Sequence, residues 1–313
     1  KILKSYREVR RINSRITGAF NEGIMGAKTT KTLVREDANY EEFQALTSSM
    51  RQSSVRAAVL SAALYPIIIG LGGFATAFLL YGVAWIYGIT GTTNLGDIRQ
   101  VLANRDLAPP VLAVGTAAAL MFVGFAFKVS AAPFQVWAPD VYQGAASPVS
   151  AFMSAGPKAT GFAILLRVYL TAFEPIASRW EPMVWACALA TMVIGNFAAL
   201  TQTNVKRLLA YSSIAHAGYV MVAVTTHSAI GTAAAMFYLA AYAFMNVGAF
   251  MVISHISGKG EKNVTLDGLA GLSTRQPVTA ALFTIFLLSL IGVPLTGGFF
   301  GKFYIFKAAL DSH

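Results

Sequence analysis

Charge is what this sequence has least of. Only 12% of its 313 residues are charged and 56% are hydrophobic, whereas a soluble domain averages about 25% charged residues. Asp, Glu, Lys and Arg are absent from five long stretches, residues 57–96, 107–127, 182–205, 208–258 and 276–301. A helix that crosses a bilayer needs about 20 predominantly apolar residues. This shortage argues against a soluble domain and predicts a multi-pass helical membrane protein.

Cysteine is nearly absent as well. The single cysteine, Cys187, lies in an apolar run, which excludes an intrachain disulfide and gives no support to a thiolate metal site. No cluster of His, Cys and carboxylate residues has the spacing of metal ligands, and no paired carboxylates suggest hydrolysis. We therefore expect no metal and no cofactor in this chain.

The net charge of +10 raises the question of a nucleic-acid partner. Residues 1–56 hold 11 Lys and Arg against 6 Asp and Glu, and basic residues beside spanning helices usually mark cytoplasmic loops. If residues 1–56 are cytoplasmic, then Lys206, Arg207 and the basic loop at 259–275 fall on that side too. The charge pattern therefore predicts that the chain contacts a lipid bilayer and does not bind nucleic acid.

The predicted fold class is all-α. Ile12, Ile16, Phe20 and Ile24 recur at four-residue spacing and predict a cytoplasmic helical segment within residues 1–56. About seven spanning helices follow within residues 57–313, near 57–87, 110–129, 148–170, 182–202, 208–225, 229–254 and 278–309.

Ionisable side chains inside the apolar segments are the candidates for chemistry, because each costs roughly 2.5 to 3.5 kcal/mol at the bilayer centre. They are Lys128 in GFAFKVSAAPF, Lys158 in SAGPKATGF, Lys302 in PLTGGFFGKFYIF and His216 in YSSIAHAGYV. Lys128 and Lys302 have an alternative interpretation, in which the amine reaches the headgroups. A lone histidine is alternatively satisfied by a local hydrogen bond.

Helix breakers accompany two of these lysines. Pro133 follows Lys128, and Gly292, Pro294, Gly297 and Gly298 precede Lys302. Paired interrupted helices point to an ion site in a transporter, although an ordinary packing kink is the alternative. The sequence therefore predicts two broken helices. A row of buried lysines, bridged by water and a histidine, suggests stepwise proton transfer.

Three long motifs carry a family resemblance: FKVSAAPFQVWAPDVYQGAASPVSAFMSAGPKATGFAILLRVY, GNFAALTQTNVKRLLAYSSIAHAGYVMVA and LSLIGVPLTGGFFGKFYIF. From about Gly73 to His313 the chain resembles subunit N of bacterial NADH-quinone oxidoreductase. The resemblance implies a proton-translocating subunit of the bacterial inner membrane. Its expected partners are the other membrane subunits of a respiratory complex, and we expect no flavin, iron-sulfur or NADH site in this chain.

The same resemblance implies roles for individual residues. By motif, Lys128 matches the lysine of the first broken helix, Lys158 that of the next helix and Lys302 that of the second broken helix. His216 and Lys206 also fall on family positions, with His216 favoured for the central polar axis. The family's earlier helices, one of which carries a glutamate that pairs with the first of these lysines, have no match here.

Residues 1–69 resemble a different family. INSRITGAFNEGIMGAKTTKTLVREDANYEEFQALTSSMRQSSVRAAVLSA is similar to the loop of an ABC exporter whose coupling helix docks on a nucleotide-binding domain. The docking residues by this resemblance are Asn13, Phe20, Asn21, Glu22 and Lys28. The two resemblances meet near 66–75, which suggests a chimera. An ABC exporter component and a membrane scaffold without transport therefore remain as alternative functions.

Overall fold

The computed structural model describes residues 8–9, 11–18, 36–104, 110–258 and 264–312. The chain divides into two compact units, Lys1–Leu71 and Gly72–His313. In the first unit, residues 8–9 and 11–18 are helical, and Ile12 is buried while Ile16 is half-buried. These two positions agree with the predicted apolar face.

The described elements are helical. They are α1 (Glu36–Thr90), α2 (Leu95–Ala103), α3 (Val111–Val129), α4 (Trp137–Gly144), α5 (Ser147–Arg167), α6 (Ala177–Leu200), α7 (Val205–Val224), α8 (Ala229–Ser257), α9 (Leu272–Arg275), α10 (Pro277–Ile291) and α11 (Gly297–Asp311). A π-helical turn, Val168–Ala172, extends α5, and short 3-10 turns occupy Glu174–Ile176 and Asp267–Leu269. The all-α prediction is confirmed.

Five of the described helical segments are long and apolar enough to cross a membrane: Gly70–Thr90, Val111–Val129, Ser147–Ala172, Glu174–Leu200 and Ala229–Ser257. The remaining two predicted segments correspond to α7 and to the interrupted pair α10 and α11. The first predicted span, 57–87, overlaps the apolar segment Gly70–Thr90 of α1, and α1 itself continues without a break from Glu36. Charged residues 36–56 end the apolar run there, but they do not end a helix.

The second unit is built around α7 and α8. α7 packs on α4, α6, α8 and α11, and α8 packs on α5, α10 and α11. Gly195 of α6 allows a close approach to α7, because a Cβ added there would lie 2.7 Å from the backbone nitrogen of Ala215. Small residues of this kind let membrane helices approach closely. Most side chains of α7 are consequently buried.

Both predicted helix breaks are present. α3 ends at Val129, after which Ser130 adopts a left-handed conformation with φ 62°, and α4 begins eight residues after Val129, at Trp137. α10 ends at Ile291, and the next residue, Gly292, has a φ of +89° that favours glycine. The Thr296 side chain caps α11 by accepting a hydrogen bond from the Phe299 N–H. The breakers seen in the sequence therefore end these helices.

A short backbone pairing joins two of the predicted basic regions. Val205 N–H donates to Val264 O over 2.8 Å, and Leu266 N–H donates to Thr203 O over 3.0 Å. This pairing brings the start of α7, which carries Lys206 and Arg207, beside the loop that follows α8. Both regions consequently lie at the same end of the helices, as the charge pattern predicts.

Candidate functional site

Lys158 lies in the middle of α5 and is only 3% exposed. Small residues at three- and four-residue spacing along α5, among them Ser150, Ser154 and Gly161, form the buried face that carries it. The Lys158 Nζ donates to the backbone oxygen of Ser213 over 2.7 Å and to the Ser213 hydroxyl over 2.5 Å. Among the described residues, no carboxylate pairs with this amine, so its polar partners are neutral.

Pro157, directly before Lys158, leaves a carbonyl of α5 without its helical donor. Proline has no N–H, so the oxygen of Met153 four residues earlier lacks the usual intrahelical bond. The Tyr142 hydroxyl of α4 donates to that oxygen over 3.3 Å. The carbonyl that Pro157 leaves without a helical donor is thus hydrogen-bonded by α4, the second half of the first broken helix.

His216 lies on the same face of α7 as Ser213 and Tyr219, at three-residue spacing, and is 5% exposed. Its Nδ1 is hydrogen-bonded to the hydroxyl of Tyr238 in α8. The ring centroids of Tyr242, Tyr219 and Tyr238 lie 5.1, 5.5 and 5.8 Å from that of the imidazole. The histidine therefore has a polar partner inside an aromatic enclosure.

Lys302 lies in α11, just past the second break, and is half-buried. Its Nζ donates to Leu290 O over 3.0 Å and to Ile291 O over 2.9 Å. The last carbonyls of a helix have no intrahelical donor and carry partial negative charge. The break therefore creates the acceptors that hold this amine.

A cavity of about 460 Å³ connects the histidine to this lysine. Its polar lining comes from Asn196, Ser212, His216, Tyr219 and Lys302, and its apolar lining includes Leu287 and Leu290. A water molecule needs a few polar partners and about 30 Å³ of liquid volume. The cavity thus has the volume and the polar groups to hold water between His216 and Lys302.

The sequence predicts that Lys128, Lys158 and Lys302 are all enclosed by the protein, but Lys128 is not. It is exposed at the end of α3, and no described residue offers its amine a hydrogen bond or an ion pair. Its aliphatic stem crosses Gly161 of α5, where an added Cβ would lie 3.2 Å from the Lys128 Cγ. The stem therefore passes one helical turn from Lys158, while the amine lies outside the enclosed part of this chain.

Lys206, by contrast, is fully buried near the start of α7. Its Nζ donates to the oxygen of Ala145, the residue that ends α4. Arg207 beside it forms an ion pair with Asp140 and donates to the Gln143 side chain over 3.2 Å. These contacts fix α7 against the second half of the first broken helix.

Sequence reasoning missed the neutral partners of the ionisable groups. Ser213, Tyr219, Tyr238 and Tyr242 were not candidates, although Ser213 and Tyr219 share the spacing of His216 along a helix face. Of the predicted docking residues, Asn13 is exposed on the helix at 11–18. Phe20, Asn21, Glu22 and Lys28 lie outside the described residues.

These features define a class: a multi-pass helical membrane protein whose interior holds ionisable side chains beside broken helices, as ion-translocating proteins do. The family model described as NADH:quinone oxidoreductase/Mrp antiporter, TM matches residues 46–313. The chain belongs to this family.

Individual relatives agree with that membership. The chain is 69% identical over 243 residues to NADH-quinone oxidoreductase subunit N 1 of Solibacter usitatus (strain Ellin6076), which covers 78% of this chain and 50% of the relative. The chain therefore spans about half the length of this relative. The ABC-exporter resemblance and the suggested chimera find no support in these comparisons.

Solved structures are similar as well. A chain of respiratory complex I from Thermus thermophilus with bound aureothin is 37% identical, with a TM-score of 0.66, over 86% of this chain and 58% of that one. A chain of the Mrp complex from Dietzia sp. DQ12-45-1b is 27% identical, with a TM-score of 0.73, over 86% of this chain and 51% of that one.

Proposed function

We propose that this chain is a proton-translocating membrane subunit of an NADH-quinone oxidoreductase. The observation that carries the proposal is the buried amine of Lys158, which is held by the neutral Ser213 alone among the described residues. A cation is costly at membrane depth, so an ionisable group there is expected to have a function. The proton would be held at the Lys158 Nζ and passed toward His216 and Lys302.

The arrangement of α7 and α8 supports a route between these groups. Ser213 contacts Lys158, and His216 lies one turn further along α7 and lines the cavity that reaches Lys302. Lys128, exposed beside α5, would be the entry or exit group, and Lys206 a buried secondary group on the α4 side. The ABC-exporter and scaffold alternatives have no observation in their favour.

The energy would come from quinone reduction elsewhere in a respiratory complex, since relatives of this chain are subunits of such complexes. The partners would be other membrane subunits of that complex, in the inner membrane of a bacterium. Residues 1–56 would form the cytoplasmic segment, and residues 57–313 the transmembrane domain. We expect no flavin, iron-sulfur cluster or NADH in this chain.

Proton flux into vesicles tests the proposal. The purified 313-residue chain is reconstituted with a pH-sensitive dye inside, and an imposed potassium gradient with valinomycin drives uptake. Lys158→Met should reduce the flux by about a hundredfold or more, because general acid-base groups contribute about a hundred- to ten-thousandfold. Lys307→Met, which removes an exposed lysine of α11, is the matched control and should leave flux unchanged. Undiminished flux with Lys158→Met would contradict the proposal.

A further inference from the structure

The two ring nitrogens of His216 have different surroundings. Nδ1 is hydrogen-bonded to the Tyr238 hydroxyl. His216 also lines the cavity that contains Tyr219 and Lys302, whereas Tyr238 is absent from the cavity wall. The bond a histidine makes through one nitrogen sets the protonation of the other. The hydrogen bond from Tyr238 can therefore set which ring nitrogen of His216 exchanges protons with the cavity.

Packing holds the Tyr238 ring in place. The side chain is fully buried in α8, and its ring lies against Gly301 of α11, where a Cβ would overlap the ring atom Cδ2. Gly301 directly precedes Lys302, so the helix that carries the lysine also fixes the tyrosine. The Tyr238 and His216 rings are nearly parallel, with an interplanar angle of 17°. The hydroxyl consequently has little freedom to leave Nδ1.

The direction of this hydrogen bond decides whether Nε2 of the neutral ring can accept a proton. If the Tyr238 O–H donates to Nδ1, the neutral ring carries its proton on Nε2 and has no free lone pair there. If Nδ1–H donates to the Tyr238 oxygen, Nε2 is free to accept a proton from the cavity and to release it again. In the second case the Nδ1–H bond stays intact in both the neutral and the charged ring.

We infer that Tyr238 is a positioning residue that keeps a proton on Nδ1 of His216 and leaves Nε2 as the nitrogen that exchanges protons with the cavity. This inference rests on the proposed function of His216 in proton transfer. The other groups around the ring are Tyr219 on α7 and Tyr242 on α8, while Lys158 on α5 and Lys302 on α11 act on it electrostatically.

Nitrogen NMR of the intact chain tests the inference directly. With His227, His255 and His313 replaced by Gln, His216 is the only histidine, and its ¹⁵N shifts show which nitrogen is protonated in the neutral form. We expect Nδ1–H in this background and a mixture of tautomers after Tyr238→Phe, which keeps the ring and removes the oxygen. Tyr219→Phe, whose ring faces His216 without a hydrogen bond, should leave the Nδ1–H form dominant. An Nε2–H form in the background protein, or tautomers unchanged by Tyr238→Phe, would overturn the inference.

Flux measurements separate this inference from the proposed function. Tyr238→Phe should lower flux about two- to tenfold, the effect of one hydrogen bond of ordinary strength, and should change how flux depends on pH. Circular dichroism should show unchanged helix content. If Lys158→Met leaves flux intact, the proposed function fails while the NMR result still decides the role of Tyr238. If Lys158→Met abolishes flux and Tyr238→Phe alters neither flux nor its pH dependence, the positioning role is wrong.

Discussion

The Nζ of Lys302 lies 4.9 Å from the centroid of the Tyr219 ring. The same ring meets His216 edge-on, with centroids 5.5 Å apart. Tyr219 thus contacts both the histidine and the lysine in the lining of their shared cavity. Its π-face attracts the ammonium of Lys302, and its ring is nearly perpendicular to the imidazole.

The role of the Tyr219 ring can be separated from that of its hydroxyl. A cation–π contact contributes about 0.5 to 2 kcal/mol depending on desolvation, so Tyr219→Leu should lower proton flux several-fold. Tyr219→Phe keeps the π-face and should retain most of the flux. Both variants are compared in the vesicle assay. Equal losses in the two would show that the hydroxyl, and not the ring face, is what matters.

The hydroxyl of Ser213 is the side-chain partner of Lys158, so its removal should weaken the site. Ser213→Ala leaves the backbone acceptor in place and removes the hydroxyl's hydrogen bond to Lys158, of about 0.5 to 1.5 kcal/mol, together with its contacts to Tyr142 and Tyr242. We expect flux to fall about two- to tenfold. Ser154→Ala is a matched control, because within the described part of the chain this buried serine of α5 bonds the carbonyl of Ala151 in its own helix and no other group. An equal fall in both variants would indicate a general packing defect.

The ionisable groups and both breaks were predictable from the sequence, because a charge in an apolar run and a proline or glycine beside it are visible in the chain itself. Tyr238 was not, because its contact with His216 depends on the register between α7 and α8, which no spacing within one helix records. The exposure of Lys128 likewise depends on which helices surround α3. Lys302 was placed at a break, but the carbonyls of Leu290 and Ile291 that hold it became apparent only in three dimensions.

Gly292 lies at the second helix break, directly beside the Lys302 side chain. Its φ is +89°, and a Cβ there would lie 3.2 Å from the Lys302 Cδ. Gly292→Ala should therefore strain the backbone by about 1 to 2 kcal/mol, lower Tm in detergent by a few degrees, and reduce flux by displacing the amine.

Gly271→Ala is the matched control for this substitution. Gly271 also has a positive φ, +72°, but its nearest atoms belong to Arg275 and Thr274 of the short helix α9. The two variants should lose similar stability, while only Gly292→Ala should lose flux beyond that effect. If both variants lost the same amount of flux at the same Tm, backbone strain alone, and not displacement of Lys302, would explain the loss.

Orientation in the membrane gives the last prediction, since by the positive-inside rule we expect residues 1–56, the start of α7 and the loop after α8 to be cytoplasmic. The pairing of Val205 with Val264 already joins two of these regions. In a background with Cys187→Ser, cysteines introduced at the exposed Asn13 and Thr274 should react with a membrane-impermeant maleimide only in inside-out vesicles. A cysteine at Thr93, in the exposed turn after α1, should react only in right-side-out vesicles. Labelling of Asn13→Cys and Thr93→Cys from the same side would contradict a membrane crossing by α1, and with it the cytoplasmic assignment of residues 1–56.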